Sequence, residues 1–357
     1  MALGGAAASA ALLTLACLGS GCSSVGYYVR SAGGHLALLA KAQPIAQITA
    51  DAATPALLRE RLLLTQRMRD FAVTELALPD NRSYRRYADL GRGAAVWNVV
   101  AAPELSLVLK TWCFPVVGCV GYRGYYERAQ ADAEAAELRA RGLEVFVYGV
   151  PAYSTLGKLD WLGGDPLLNT FVDWPEGELA RLVFHELAHQ VVYVADDTMF
   201  NESFATAVER LGGTRWLAAH GSAATRADDA ALDLRRTQFR GLTLRYRDRL
   251  DALFRSSEAD DAKRAGKAML MAEMRAEHAA LRAGIWRGPN GPHTGYDPWF
   301  ERANNAALGV LATYNEGVPN FERLFEREGR DFPRFYAAVK SLAALPKAER
   351  QATLRAI

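Results

Sequence analysis

The sequence predicts an α+β protein, mostly helical, with a small mixed sheet in its first half and a helical lobe toward the C-terminus. Three observations carry that expectation. Apolar residues recur at helical spacing through most of the chain, short β-branched runs interrupt them around residues 96–109 and 143–150, and Arg226 to Arg282 is a long charged stretch of helical pattern. Hydrophobic residues make up 50% of the 357, enough for a sizeable core. Lys and Arg number 42 against 40 Asp and Glu, and the resulting charge of +2 gives no field for steering toward nucleic acid. Nucleic-acid binding therefore has no support.

The first 21 residues carry no charge, and Ala6 to Leu18 forms an apolar run of signal-peptide length, too short to span a bilayer as a mature helix. Residues 1–21 are read as a signal peptide. Its end, Leu18-Gly19-Ser20-Gly21-Cys22, resembles the lipobox at which bacterial lipoproteins are cleaved and lipidated. The resemblance implies a lipid on Cys22 and an exported, periplasmic protein tethered to a membrane. A plain secretory signal, or lipidation at Cys17, is the alternative.

Residues 22–92 read as an N-terminal helical region, with one helix from Leu36 to about Ile48 and another from Leu57 to Leu78, for which Pro55 suits the first turn. Residues 93–220 read as the core. Between Ala94 and Thr111 the apolar positions suggest two short strands parted by Pro103; a helix follows from Tyr125 to Arg141, ended by Gly142, and then a strand from Leu143 to Val150. Cys113 and Cys119 enclose a short loop with Pro115 and Gly118, a spacing that in an exported chain favours a disulfide over two buried thiols. Residues 221–357 read as a C-terminal helical region completing a cleft. Its first part is two long antiparallel helices broken near Ser256 and Ser257, a turn from Gly284 to Pro292 follows, and helices resume near Trp299.

The chemistry is concentrated in Asp173 to Val194. Asp173, Pro175, Glu176 and Glu178 are helix-start signals, so the histidines of His185-Glu186-Leu187-Ala188-His189 are expected mid-helix. Leu179, Val183, Leu187, Val191 and Val194 form an apolar stripe, with His185 and His189 expected on nearly the opposite face, outside the core. Two imidazoles four positions apart can share one Zn²⁺ at about 2.0–2.1 Å, with the intervening Glu186 beside the water to be activated. With only 6 histidines in the chain, a chance match has a probability on the order of one in 200.

A catalytic zinc keeps three protein ligands, and the third is sought downstream. Twelve residues after His189 the chain reads Asn201-Glu202-Ser203-Phe204-Ala205-Thr206-Ala207-Val208-Glu209. Asn201 is a plausible N-cap, and Glu202, Thr206 and Glu209 share the face opposite an apolar stripe. This pattern resembles the gluzincin aminopeptidases related to aminopeptidase N, in which His-Glu-x-x-His is followed by a helix containing Asn-Glu-x-Phe-Ala. The shortened interval is similar to that of a family of bacterial lipoprotein aminopeptidases. That second resemblance extends over Trp112-Cys113-Phe114-Pro115, Ala152-Tyr153-Ser154-Thr155-Leu156-Gly157 and Asn304-Asn305-Ala306.

The resemblance implies a gluzincin-like core that holds one Zn²⁺ on His185, His189 and Glu202 and hydrolyses peptides with Glu186 as general base. Glu209 is expected to orient a histidine. Tyr153, Ser154 and Thr155, with Asn304, are expected to align a peptide substrate, and Tyr314 to stabilise the oxyanion, with Tyr296 and His293 as runners-up. A tyrosine packed in a helix interface is the alternative for each. His35, His220 and His278 read as surface or capping residues. The competing class is an envelope-anchored scaffold or peptide-binding lipoprotein with a structural zinc site, and the presence of Glu186 argues against it.

Overall fold

The computed structural model describes residues 22–114, 118–152, 155, 160, 163–195, 197–288, 291–311 and 317–357. Helix α1 covers Cys22–Lys41, so it starts earlier than the periodicity suggests and stops before Ile48. Pro44 explains the stop, because it cannot donate into a helix interior. The chain instead makes strand β1, Gln43–Pro44, and a short helix α2, Ile45–Ala50. Helix α3, Ala56–Thr74, is capped by Pro55 and ends short of Leu78, although Leu76 and Leu78 remain buried beyond it.

Strand β3, Val96–Pro103, is the centre of an antiparallel sheet in the order β6-β3-β7, with β6 at Arg123–Tyr125 and β7 at Leu143–Val150. The expected second strand before Thr111 does not form. Its apolar positions are spent otherwise, Leu107 in a core cluster and Val108 at the surface, and the next strand, β4, is Trp112–Phe114. It pairs with β5, Gly118–Val120, in a hairpin joined by the Cys113–Cys119 disulfide. The helix expected from Tyr125 begins later, as α4, Arg128–Ala140, because Arg123–Tyr125 is taken up by pairing with β3. Ala131, Ala135 and Leu138 of α4 cover one face of the sheet, against Val99, Ala101, Val145 and Val147. A second small sheet is mixed: β2, Arg86–Ala88, pairs antiparallel with β1 and parallel with β8, Leu167–Leu168.

The remaining elements are helical apart from a two-residue hairpin. Helices α5, Glu176–Ala188, and α6, Thr198–His220, pack on each other. Helices α7, Ala223–Arg255, and α8, Asp260–Ala283, form the expected long antiparallel pair. Strands β9, Arg287–Gly288, and β10, Gly291–Pro292, lead to α9, Asp297–Arg302, and α10, Asn305–Leu311. Helices α11, Val318–Arg327, α12, Phe332–Ala343, and α13, Lys347–Arg355, close the chain. The fold is thus α+β and mostly helical. Its largest core joins α1, α3, α5 and α6 to α11–α13, while α7, α8 and α9 gather around a separate cluster that includes Tyr246, Met274 and Phe300.

Candidate metal centre

Pro175 stands at the N-cap position of α5 without a side-chain cap, and Glu176 and Glu178 stand in its first turn, where carboxylates favour a helix N-terminus. The helix ends sooner than expected: Ala188 is its last residue and His189 its C-cap, so the histidines occupy the final turn rather than the middle. Leu179, Val183 and Leu187 are buried as the stripe predicts, but Val191 and Val194 pack on the same core from beyond the helix end. The face bearing the imidazoles is not open to solvent either. Helix α6 lies over it, and His189 is itself buried.

The close approach of α6 has a visible cause in its paired glycines. A Cβ on Gly212 would meet Leu76 Cδ1 at 2.7 Å and Phe184 Cδ2 at 2.9 Å, and one on Gly213 would meet Arg181 Cγ at 2.7 Å. The start of α6 also differs from expectation. Asp197 is the N-cap, accepting from Phe200 N at 3.3 Å, whereas Asn201 sits inside the first turn. Asn201 instead fastens the interhelical loop: its Nδ2 donates to Val194 O at 2.7 Å and its Oδ1 accepts from Val194 N at 2.8 Å.

These constraints bring His185, His189 and Glu202 together, with one donor atom of each within 4.8 Å of the others. The two Nε2 atoms are 3.2 Å apart, and Glu202 Oε2 stands 3.4 Å from that of His185 and 3.8 Å from that of His189. Tetrahedral ligands at about 2.0–2.1 Å from a divalent ion stand about 3.3 Å apart, so the three donors sit near three corners of such a polyhedron. Glu209 Oε2 lies 2.7 Å from His185 Nδ1, which leaves Nε2 of that ring to the triad.

Burial and the two carboxylates set the electrostatics of the cluster. Burial disfavours the charged form of His185, but hydrogen bonds to Glu202 and Glu209 outweigh it and raise its pKa well above the usual imidazole value. His189 has no such support, and burial pushes it down to about 4, leaving it unprotonated at neutral pH. Burial would raise Glu202, yet its hydrogen bond to His185 and the two neighbouring imidazoles hold it below the usual carboxylate range. Glu186 is also buried, and burial pushes its carboxyl up to about 7, with His185 opposing and Glu202, Asp165 and Glu209 reinforcing.

Sequence reasoning missed two groups coupled by charge to this cluster. Asp165, whose charge acts on Glu186, follows the turn Gly163-Gly164, where both glycines have positive φ and a Cβ on Gly164 would meet Ser83 N at 2.5 Å. Asp165 accepts from Thr155 N at 3.0 and 3.2 Å, and its charge helps to raise Glu186. Tyr122 is the other. Burial and the nearby charges of Glu202 and Glu186 raise its phenol pKa. A glycine pair before an acid was a readable signal for Asp165; nothing in the local pattern marked Tyr122.

The other expected site residues are distributed differently. Tyr153, Ser154 and Tyr314 lie outside the described residues. Asn304 donates to Val145 O at 3.1 Å and accepts from Ala307 N at 3.0 Å, tying α10 to β7. Tyr296 stacks on Phe239 at 4.4 Å and packs with His293 and Trp286. His278 is not a surface residue: it is buried flat against Phe300, with ring centroids 3.9 Å apart, because α8 turns it toward α9. His220, at the exposed end of α6, packs at a tilt against Trp216, and His35 is half-buried.

Among curated proteins and among solved structures, none matches the chain significantly. A family model described as "Putative aminopeptidase" matches residues 26–354, which takes in the sheet, the histidine helix, the Glu202 helix and the C-terminal helices. That span is nearly the whole of the described chain, and the chain belongs to this family.

Proposed function

We propose that the protein is a zinc-dependent peptidase of the gluzincin type with aminopeptidase-like action, exported and lipid-anchored at Cys22 in the bacterial periplasm. The observation that carries the reading is the convergence of His185, His189 and Glu202 from two helices, with Glu209 on the back of His185 and Glu186 one residue along. Family membership supports the peptidase class. When bound, Zn²⁺ supplies Lewis acidity, making water a nucleophile at neutral pH and polarising the peptide carbonyl.

The chain's own groups do the rest. Glu209 holds the His185 ring in the tautomer that turns Nε2 to the triad, and Glu202 contributes the negative charge of the donor set. Glu186 takes the proton of the attacking water and passes it to the leaving amine, a task suited to a carboxyl that burial has made more basic. Tyr122, a buried phenol kept protonated by burial and by the charges of Glu202 and Glu186, is the described tyrosine we assign to donate to the oxyanion that develops at the scissile carbon. Thr155, set by Asp165, continues the segment of Tyr153 and Ser154 along which a peptide backbone would align.

Metal content and hydrolysis of a peptide library separate these roles. Glu202→Ala should lose zinc and activity together. Glu209→Ala should keep the site but weaken zinc affinity about 10–100-fold. Glu186→Gln should retain a full zinc complement while hydrolysis falls by about 10² or more. A Glu202→Ala protein that still binds zinc stoichiometrically would remove the third ligand from this scheme, and an unchanged Glu186→Gln rate would remove the general base.

A further inference from the structure

We infer that Arg240 of α7 recognises a carboxylate of the peptide substrate, either an acidic side chain or the free C-terminal group. The inference rests on the peptidase reading and adds to it a preference for one class of peptide. The metal cluster is not sealed on every side. The His189 side chain is only 8% exposed, but Glu209, which holds the His185 ring from behind, is 22% exposed, and Arg210, next to it on α6, is 41% exposed. Water therefore reaches the cluster on the side of Glu209 and Arg210.

Helix α7 is fixed against α5 by Arg181, which reaches Asp229 and Asp233, and by the ion pair of Arg236 with Glu178. Glu178 and His185 are seven positions apart, two turns along one face of α5, and Arg240 follows Arg236 by one turn of α7, about 6 Å. Two carboxylates act on Arg240 by charge, and both are committed elsewhere. Glu209 Oε2 is 2.7 Å from His185 Nδ1, and Asp233 Oδ1 lies 3.2 Å from Arg181 Nη1 and 3.4 Å from Arg236 Nη1. The neighbouring arginines have partners of their own, Arg236 in Glu178 and Arg210 in Glu322 of α11 at 3.1 Å. Arg240 is half-buried, and among the described residues its guanidinium has no ion pair or hydrogen bond.

That arrangement is unfavourable until an anion arrives. Burial and the like charges of Arg210 and Arg236 lower the pKa of Arg240, with Glu209 and Asp233 opposing, yet a guanidinium stays protonated in a protein. A cation taken partly out of water beside two others loses solvation that an incoming carboxylate makes good, and its planar fork matches a carboxylate with two parallel hydrogen bonds. The anion that peptide cleavage brings to this place is a carboxylate of the peptide itself.

Calorimetry on the full-length, zinc-loaded Glu186→Gln protein tests this, since that variant is expected to hold peptide without cutting it. The probes are alanine tetrapeptide amides with a single glutamate, glutamine or lysine at each position in turn, and tetra-alanine as free acid and as amide. One glutamate peptide, or the free acid, should bind about tenfold more tightly than its neutral counterpart, and which of the two does so identifies the carboxylate. Adding Arg240→Gln should bring that ratio to about one, Arg240→Lys should keep part of it, and Arg240→Glu should favour lysine over glutamate. Arg235→Gln is the control: it also removes an unpaired arginine from α7, about 140° around the helix, and should keep the ratio. Unfolding midpoints of the variants are compared with that of the parent. Equal binding of acidic and neutral peptides, or a ratio that survives Arg240→Gln or falls equally in Arg235→Gln, overturns the inference and leaves the peptidase reading standing. An acid preference that depends on Arg240, in a protein whose native form cuts no peptide, keeps this site and removes the peptidase reading alone. Failure of every probe to bind overturns the inference, while cleavage of the peptide library by the native protein decides the peptidase reading separately.

Discussion

The α5–α6 pair and the α7–α8 pair are both made of two packed helices, yet they use charge in opposite ways. In α6, twelve of 23 residues are buried, whereas in α7 only four of 33 are: Leu242, Thr243, Tyr246 and Leu250. Charged groups around α5 and α6 are enclosed and directed at one another. His185 is held by two carboxylates, Arg181 reaches Asp229 at 2.9 Å and Asp233 at 3.2 Å, and Asp197 meets Arg350 out of contact with water. On α7 and α8 the ion pairs Arg245–Glu277, Arg249–Glu273 and Arg255–Asp251 stand largely in solvent. Enclosed charge fixes the position of a chemical group to within tenths of an ångström; solvated charge keeps a long helix soluble and fixes little.

The largest expected effect on stability breaks the comparison at Arg350. Its Nε and Nη2 donate to Asp197 Oδ2 at 2.9 and 2.8 Å, and its Nη1 donates to Ala343 O and Leu345 O, so α13 holds the cap of the helix that carries Glu202. Arg350→Met leaves a buried carboxylate without a countercharge and should cost about 3–5 kcal/mol, read from denaturant unfolding. Adding Asp197→Asn, which keeps a capping oxygen but removes the stranded charge, should recover part of that loss. A single variant within the error of the unfolding measurement would show that enclosed charge is no more important here than charge on α7.

A medium effect sharpens the comparison, because His278 is the one titrating group that α8 buries. It lies flat on Phe300, 3.3 Å from Asp297 Oδ1, and burial lowers its pKa, with Asp297 opposing and Arg282 reinforcing. The folded pKa is therefore below the unfolded one. The unfolded chain binds the proton more readily as pH falls through about 6.5, so the stability due to a neutral His278 is present above that pH and lost below it. The loss for one proton is at most about 1.4 kcal/mol per pH unit. Unfolding titrations at pH 7, 6 and 5 should show a steeper acid decline in the native protein than in His278→Gln. Parallel declines would place the sensitivity elsewhere.

The same division between enclosed and solvated charge explains what was legible in the sequence. Periodicity alone marks α7 and α8 almost to their ends, because each has a long uninterrupted pattern and a polar break at Ser256 and Ser257. The cluster of His185, His189 and Glu202 was readable because a set of residues that can share one metal ion is restricted in type and spacing together. Helix ends near the site were not. The early stop of α5 at Ala188, the cap at Asp197 and the tie from Asn201 to Val194 depend on packing against α6 and on Arg350, which is more than 150 positions away. Tyr122 and Asp165 act on Glu186 through space from distant parts of the chain, an influence that no local window contains.

The smallest expected effect is the control that the comparison needs. Arg255 Nη2 lies 2.7 Å from Asp251 Oδ2 one turn earlier in α7, with the guanidinium mostly in water. Coulomb attraction there is weakened by solvent, and holding two long side chains in one geometry offsets part of what remains. Arg255→Ala should therefore cost only about 0.3–0.5 kcal/mol, and less in salt, since at 1 M the screening length falls to about 3 Å. The Asp197–Arg350 pair is shielded from added ions by protein on every side, so the cost of Arg350→Met should hardly change over the same salt range. Measuring both variants at low and high salt distinguishes the two uses of charge by their salt response and not only by their size. A salt-sensitive Arg350→Met would mean that water and ions reach the cap of α6, and the placement of Glu202 would then need another source of rigidity.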